Sequence, residues 1–171
     1  MTKNVFVFVV ATAILVTDQL TKWYIREALP LYGQITVIDH FLHIVHVRNT
    51  GGAFSLLAGS NDLFRIPFFL GASAIAIGAL IYFLRQVHAD QRILQFALAS
   101  VLGGALGNLV DRLVRGSVTD FILAHWYEYH WPAFNVADSF ISIGVTLLLL
   151  QSIFAPAEAD ADGKSAISSR P

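Results

Sequence analysis

Asp120 and Asp138 are the two residues whose sequence context best suits acid–base catalysis. Neither has a neighbouring Lys or Arg in the sequence that would neutralise it. We expect Gly116 to end a helix, which leaves Asp120 on an irregular segment, and Asn135 to cap a helix that carries Asp138 near its third position. Two adjacent carboxyl groups share one proton, so that one can deprotonate a water while the other polarises a carbonyl. The alternative is that both aspartates are solvated or only cap helices.

The composition places these aspartates in a membrane protein. The chain has 171 residues, of which 56% are hydrophobic and only 13% are charged, whereas soluble domains average about 25% charged residues. This length predicts one domain. A net charge of −1 without a basic stripe argues against a nucleic-acid-binding role. The absence of cysteine excludes disulfides, thiolate metal sites and a cysteine nucleophile.

Four apolar stretches approach the length that crosses a bilayer as a helix. We predict membrane spans at about residues 5–24, 66–84, 93–113 and 136–155, within one integral-membrane domain of residues 1–155. The polar tail of residues 156–171 is predicted to be disordered. The first stretch could instead be a signal peptide, since Lys3 precedes it, but the small-residue sequence "ATA" would cut inside the apolar run.

The order of four spans brings the unusual polar residues to one end of the bundle. Residues 25–65 and 114–134 lie on the side opposite both termini, and the polar motifs fall in them or at the adjoining ends of the spans. We call this end the polar end. Lys and Arg number six on this side and five on the other. That difference is too small to orient the bundle by the positive-inside rule.

Several of these residues are expected to be structural. Asp18 and Lys22 have the i,i+4 spacing of a helical ion pair. Asp111 and Arg112, with Asn108 one turn earlier, are predicted to form a pair that orients the end of the third span. The small residues Ala99, Gly103, Gly104 and Gly107 line a face of that span on which another helix can pack closely.

The histidines do not indicate a metal site. His40, His43 and His46 recur at every third residue, but the stretch 35–47 resembles one β-strand. In a strand, His43 would point away from the other two. The aromatic cluster at 125–131 suits a membrane–water interface.

Five motifs in this order resemble the lipoprotein signal peptidases, the bacterial signal peptidase II family of aspartic peptidases. The likeness covers about residues 5–155. The motifs are "DQLTK" (18–22), "NTGGAFS" (49–55), "GGALGNLVDR" (103–112), "VTDF" (118–121) and "FNVADS" (134–139).

This resemblance implies the fold and the activity. It implies a four-helix membrane bundle with a small β-sheet and amphipathic subdomain between the first two helices. It implies an inner-membrane endopeptidase that cleaves diacylglyceryl-modified prolipoproteins before the lipidated cysteine. The active site would lie near the periplasmic face and both termini in the cytoplasm. It also implies a monomer surrounded by lipid that needs no cofactor and no metal.

The resemblance also assigns roles to residues. Asp120 and Asp138 would be the catalytic dyad, and Asp18 with Lys22 would stabilise the end of the first span. Phe54 would lie near the substrate's acyl chains. The residues that would shape and support the site are Asn49, Gly51, Asn108, Asp111, Arg112 and Asn135. Gly52 stands where the family motif has alanine, and residues 31–60 are expected to form a lid that moves.

Two other functions remain open on sequence grounds. A transporter or proton-relay subunit would also carry intramembrane aspartates, although these would be spread across the bilayer. A membrane scaffold without catalytic activity is the third possibility.

Overall fold

The computed structural model of this chain describes residues 2–51 and 61–154. Gly52, Phe54 and the predicted tail of residues 156–171 therefore lie outside the described residues. Within the described ranges the chain forms four long helices and a small antiparallel sheet. The predicted fold class, a four-helix membrane bundle with a small sheet, is confirmed.

The four helices are each long and apolar enough to cross a membrane. The first three extend beyond the predicted spans, because polar residues at both ends are helical as well, whereas the fourth does not. Their bounds are α1 Lys3–Ala28, α2 Asp62–Gln86, α3 Arg92–Arg115 and α4 Val136–Phe154.

Helix α3 is the centre of the bundle and packs against the other three helices. Its glycines allow this close approach. A Cβ atom on Gly103 would lie 2.8 Å from the carbonyl oxygen of Ala11 on α1, and one on Gly104 would lie 2.5 Å from that of Ala137 on α4. The predicted small-residue face of α3 is thus where α1 and α4 pack, as is common between membrane helices.

The sheet joins two parts of the chain that are distant in sequence. Between α1 and α2 lie β1 (Gln34–Ile38) and β2 (Leu42–Asn49); between α3 and α4 lie β3 (Val118–Trp126) and the short β4 (Tyr129–His130). The strands are antiparallel in the order β1-β2-β3-β4. The sheet therefore ties the segment after α1 to the segment after α3.

The prediction of a single strand over residues 35–47 is wrong. The stretch is a hairpin, and His40 lies in its turn with a positive φ of 58°. His43 stacks on His125 of β3, and His46 Nδ1 lies 2.9 Å from the carbonyl oxygen of Leu29. The histidines are therefore held by separate contacts.

Candidate active site

Asp120 lies on strand β3, so the prediction of an irregular segment there is wrong. Gly116 does end α3, in the left-handed conformation that glycine adopts readily (φ 68°). The chain then enters β3, where Asp120 is opposite Val47 of β2. Asn49, two residues along β2, lies on the same face of the sheet. Its side-chain Nδ2 donates to Asp120 Oδ2 at 2.9 Å.

Asp138 lies in the first turn of α4, as predicted, and takes part in the helix cap. Asn135 Oδ1 accepts a hydrogen bond from the backbone N–H of Asp138 at 2.9 Å. In return, Asp138 Oδ2 accepts from the backbone N–H of Asn135 at 3.3 Å. This reciprocal arrangement is a capping box. Asp138 therefore does help to cap α4, which was the alternative that the sequence left open. Only its Oδ2 atom is used in the cap, so its Oδ1 atom can bind another residue.

Two asparagines connect the two carboxyl groups. Asn135 Nδ2 donates to Asp120 Oδ1 at 2.7 Å, and Asn108 Nδ2 donates to Asp138 Oδ1 at 2.8 Å. The two amides also meet each other, with 3.3 Å between Asn135 Nδ2 and Asn108 Oδ1. Asp120 and Asp138 are thus parts of one hydrogen-bonded group built from α3, β3 and α4.

Both aspartates line one cavity of about 720 Å³, together with Asn49, Asn108 and Arg112. Asp120 is almost fully buried, at 2% exposure, whereas Asp138 is partly buried. Burial, and to a smaller extent the negative charge of Asp138, raise the pKa of Asp120 to about 6. The site can therefore hold a proton at mildly acidic pH, at the wall of an open cavity.

A buried ion group lies behind this cavity. Lys22 Nζ is 2.8 Å from Asp18 Oδ2 and 3.2 Å from Asp111 Oδ2, and all three side chains are fully buried. Asp18 Oδ1 accepts from the backbone N–H of Ala137 at the start of α4, and Asp111 Oδ2 accepts from that of Thr119 at the start of β3. The group thus holds both elements that carry the site aspartates.

The predicted pair between Asp111 and Arg112 is wrong. Adjacent helical residues point about 100° apart and do not face each other. Asp111 faces Lys22 and also lies 3.3 Å from Arg115 Nη1, one turn further along α3. Arg112 points towards the cavity, and its guanidinium lies over the ring of Phe69 at 5.0 Å.

Of the other predicted site residues, Gly51 is buried and its N–H donates to Asn49 Oδ1 at 3.0 Å. Gln19 was missed by the sequence analysis, which assigned Gly107 only to helix packing. Gln19 Nε2 donates to Asp18 Oδ2 at 3.1 Å and to the carbonyl oxygen of Gly107 at 3.0 Å. The adjacency of Gln19 to Asp18 in "DQLTK" was the one available signal for its role.

Comparisons with known proteins agree with this arrangement. The family model described as signal peptidase (SPase) II matches residues 10–154. The lipoprotein signal peptidase of Syntrophotalea carbinolica is 48% identical over 141 residues, covering 82% of this chain and 86% of that protein. The lipoprotein signal peptidase of Geobacter sulfurreducens is 47% identical over 139 residues, covering 81% and 86%.

A solved structure agrees as well. A bacterial membrane enzyme determined by the in meso method at 2.3 Å resolution superposes with a TM-score of 0.78 and 34% sequence identity, over 86% of this chain and 87% of that one. Sequence and fold therefore lead to the same conclusion, and the chain belongs to the signal peptidase II family.

Proposed function

We propose that this chain removes the signal peptide from diacylglyceryl-modified prolipoproteins, with Asp120 and Asp138 as the catalytic pair. The observation that carries the assignment is the joining of these two carboxyl groups, from different elements, by Asn108 and Asn135 at the wall of one cavity. The substrates follow from the family, whose named members are lipoprotein signal peptidases.

The proposed reaction uses one proton shared by the pair. The ionised carboxylate takes a proton from a water, and the oxygen of that water attacks the scissile carbonyl carbon. The protonated carboxyl group donates its proton to the carbonyl oxygen, which gives a tetrahedral diol. The diol then returns its hydroxyl proton to the pair, the C–N bond breaks, and the leaving amine takes up the proton that came from water. The pair ends with the one proton with which it began, so no metal or organic cofactor enters the steps.

The surrounding side chains have supporting roles in this proposal. Asn49, Asn108 and Asn135 hold the carboxyl groups through the hydrogen bonds given above. Arg112 places a positive charge beside them. Asp18, Lys22 and Asp111 fix the elements on which they lie. Gly51 would shape the cavity beside Asn49, and the role predicted for Phe54, contact with the substrate's acyl chains, remains part of the proposal.

The location follows from the substrate. The chain is a multi-span membrane protein of a bacterial family. We place it in the inner membrane as a monomer surrounded by lipid, with the polar end at the periplasmic face and both termini in the cytoplasm. At that depth the pair meets a peptide bond at the outer interface of the membrane, where a lipid-bearing cysteine would be anchored.

The test is cleavage of a lipidated prolipoprotein peptide by purified variants. We expect Asp120→Asn and Asp138→Asn each to abolish cleavage, and the double variant to be no worse than either, because the two residues act as one unit. Asp90→Asn, in the turn before α3 at the other end of the bundle, is the matched control and should cleave normally. Near-normal turnover by either single dyad variant would refute the pair.

A proton relay is less well supported. It needs carboxylates at successive depths, whereas the fully or almost fully buried ones in the described residues, Asp18, Asp111 and Asp120, all lie towards the polar end. In the described parts of the chain, no other buried carboxylate lies nearer to the opposite end of the bundle.

A further inference from the structure

A second cavity lies at the polar end, on the other side of the end of β2. Its volume is about 460 Å³. It is formed by the start of α2, the end of α3 and the last residues of β2. It shares Arg48 and Thr50 with the cavity that contains the two aspartates, so the two cavities are neighbours.

The wall of this second cavity is rich in arginine. Arg48, Arg65 and Arg115 face it, with Asp62 as its one acidic lining residue in the described parts of the chain. Arg65 is buried, with 6% exposure, and its Nη2 is ion-paired with Asp62 Oδ1. One carboxylate among three guanidinium groups leaves the cavity positive.

The nearest acidic groups outside the wall do not remove this excess. Arg115 reaches Asp111, but Asp111 is already bound to Lys22 and lies 3.8 Å from Arg26. Lys22 is also paired with Asp18, so this ion group has two carboxylates, Asp18 and Asp111, for three cations, Lys22, Arg26 and Arg115.

Arg48 carries the clearest unbalanced charge. Its Nε donates to Ser117 Oγ at 2.8 Å and its Nη2 to the carbonyl oxygen of Arg115 at 3.1 Å, both of which are neutral acceptors. Within residues 2–51 and 61–154, no carboxylate forms an ion pair with it. Residues 52–60 contain no Asp or Glu. The chain near this cavity therefore provides no anion for Arg48.

The donors suit a phosphate group. Guanidinium groups bind phosphate oxygens through paired N–H donors, and the hydroxyl-bearing residues Tyr32 and Thr50 also line the cavity. The cavity lies where α2 begins and α3 ends, which is where membrane helices pass from hydrocarbon into the headgroup layer. Phospholipid phosphates are concentrated in that layer, and basic pockets between membrane helices bind anionic headgroups.

We propose that this second cavity, which is lined by Arg48, Arg65 and Arg115, binds the phosphate group of an anionic membrane phospholipid. The bound phosphate would lie against Arg48, whose neighbour in β2 is Asn49, the residue that holds Asp120. The lipid would thus brace the end of β2 from the side opposite the aspartates. This proposal does not depend on the peptidase assignment, since it concerns lipid binding alone.

The test is native mass spectrometry of the delipidated protein, titrated with phosphatidylglycerol and with a diacylglycerol of the same acyl chains. We expect the wild type to bind phosphatidylglycerol in preference to diacylglycerol. Arg48→Gln and Arg115→Gln should each weaken phosphatidylglycerol binding at least about tenfold, the loss of one charge-assisted hydrogen bond. Arg85→Gln, which removes the same charge at the exposed opposite end of α2, should bind as the wild type does.

Several results would overturn the proposal. Equal phosphatidylglycerol binding by Arg48→Gln and the wild type would refute the site, as would diacylglycerol binding as tightly as phosphatidylglycerol. Displacement of phosphatidylglycerol by an equal concentration of inorganic phosphate would refute the lipid as the source of the phosphate group. Because Arg115 also contacts Asp111, thermal melting of each variant shows whether a lost signal comes from unfolding, and Arg48→Gln is decisive if Arg115→Gln is unstable.

Discussion

The side-chain amide of Asn108 has one favourable orientation, and Lys22 sets it. The ammonium group of Lys22 has donors and no acceptor, and it lies 2.9 Å from Asn108 Oδ1. The Nδ2 donor must therefore point the other way, where it reaches Asp138 Oδ1 at 2.8 Å. Lys22 on α1 thus orients the amide of Asn108. As a result Asp138 on α4, a proposed catalytic residue, accepts a hydrogen bond from Asn108 Nδ2 and does not face Asn108 Oδ1.

This argument makes a prediction for Asn108→Asp. The new carboxylate has nearly the shape of the amide and still accepts from Lys22, but it has no donor for Asp138 unless it takes up a proton. We expect cleavage to fall at least about tenfold at pH 7, since a charged hydrogen bond is replaced by two facing acceptors, and to recover in part as the pH is lowered. Cleavage of a lipidated peptide across pH 5–8 measures this.

The matched control is Asn61→Asp, because Asn61 caps α2 by accepting from the N–H of Leu63 and an aspartate can do the same. That variant should keep the wild-type pH profile. An Asn108→Asp enzyme that is fully active at pH 7 would show that the donor to Asp138 is not needed.

The raised pKa of Asp120 has a consequence for stability. Because burial raises this pKa from 3.8 to about 6, the folded state binds the proton more tightly than the unfolded state. The resulting stabilisation is complete below pH 3.8 and is lost as the pH rises through 6. In Asp120→Asn this loss is absent, so the unfolding free energy of the variant should rise relative to wild type by about 2 kcal/mol between pH 4 and pH 7.

Melting of both proteins in detergent over this pH range measures the change. Asp90→Asn provides the control for a substitution at an exposed aspartate. A constant stability difference between Asp120→Asn and the wild type from pH 4 to pH 7 would contradict the raised pKa.

At the scale of elements, α3 depends on Gly107 to accommodate the buried ion group. A Cβ atom on Gly107 would lie 2.5 Å from Asp18 Oδ2. Gly107→Ala should therefore push the carboxylate away from the N–H of Ala137, loosen the start of α4, and lower both the melting temperature and cleavage. Gly78→Ala on α2 is the control, because a Cβ there would have no atom within 4 Å.

The expected result for Gly78→Ala is an unchanged or slightly higher melting temperature, since alanine favours helix over glycine. If the two alanine variants melted alike, the close packing at Gly107 would not be required for stability.

The same elements show what the sequence could and could not predict. The Asp18–Lys22 pair was predictable because both residues are on one helix, one turn apart. The partner of Asp111 was not, since Lys22 comes from another helix and pattern reasoning carries no information on which faces meet. Strand β3 was missed because its first four residues are all buried, so they lack the alternation that marks a half-buried strand.

For the whole molecule, the membrane orientation can be tested directly because the chain has no cysteine. Single cysteines can replace Tyr129, which is 82% exposed at the polar end, and Asp90, in the turn between α2 and α3. In intact spheroplasts, a membrane-impermeant maleimide should label Tyr129→Cys, and should label Asp90→Cys only after the membrane is opened. The reverse pattern would place the polar end in the cytoplasm.

The contact between Asp18 and Ala137 can form only late in the synthesis of the chain. These residues are 119 positions apart, which at about 5–20 residues per second corresponds to roughly 6–24 s on the ribosome. Lys22, in contrast, is made only four residues after Asp18, so the first span can enter the membrane with its carboxylate already neutralised. Asn135 and Asp138 arrive with the last helix. In the proposed mechanism, a nascent chain with three inserted spans lacks Asp138 and cannot cleave, and insertion of the fourth span completes the proposed pair.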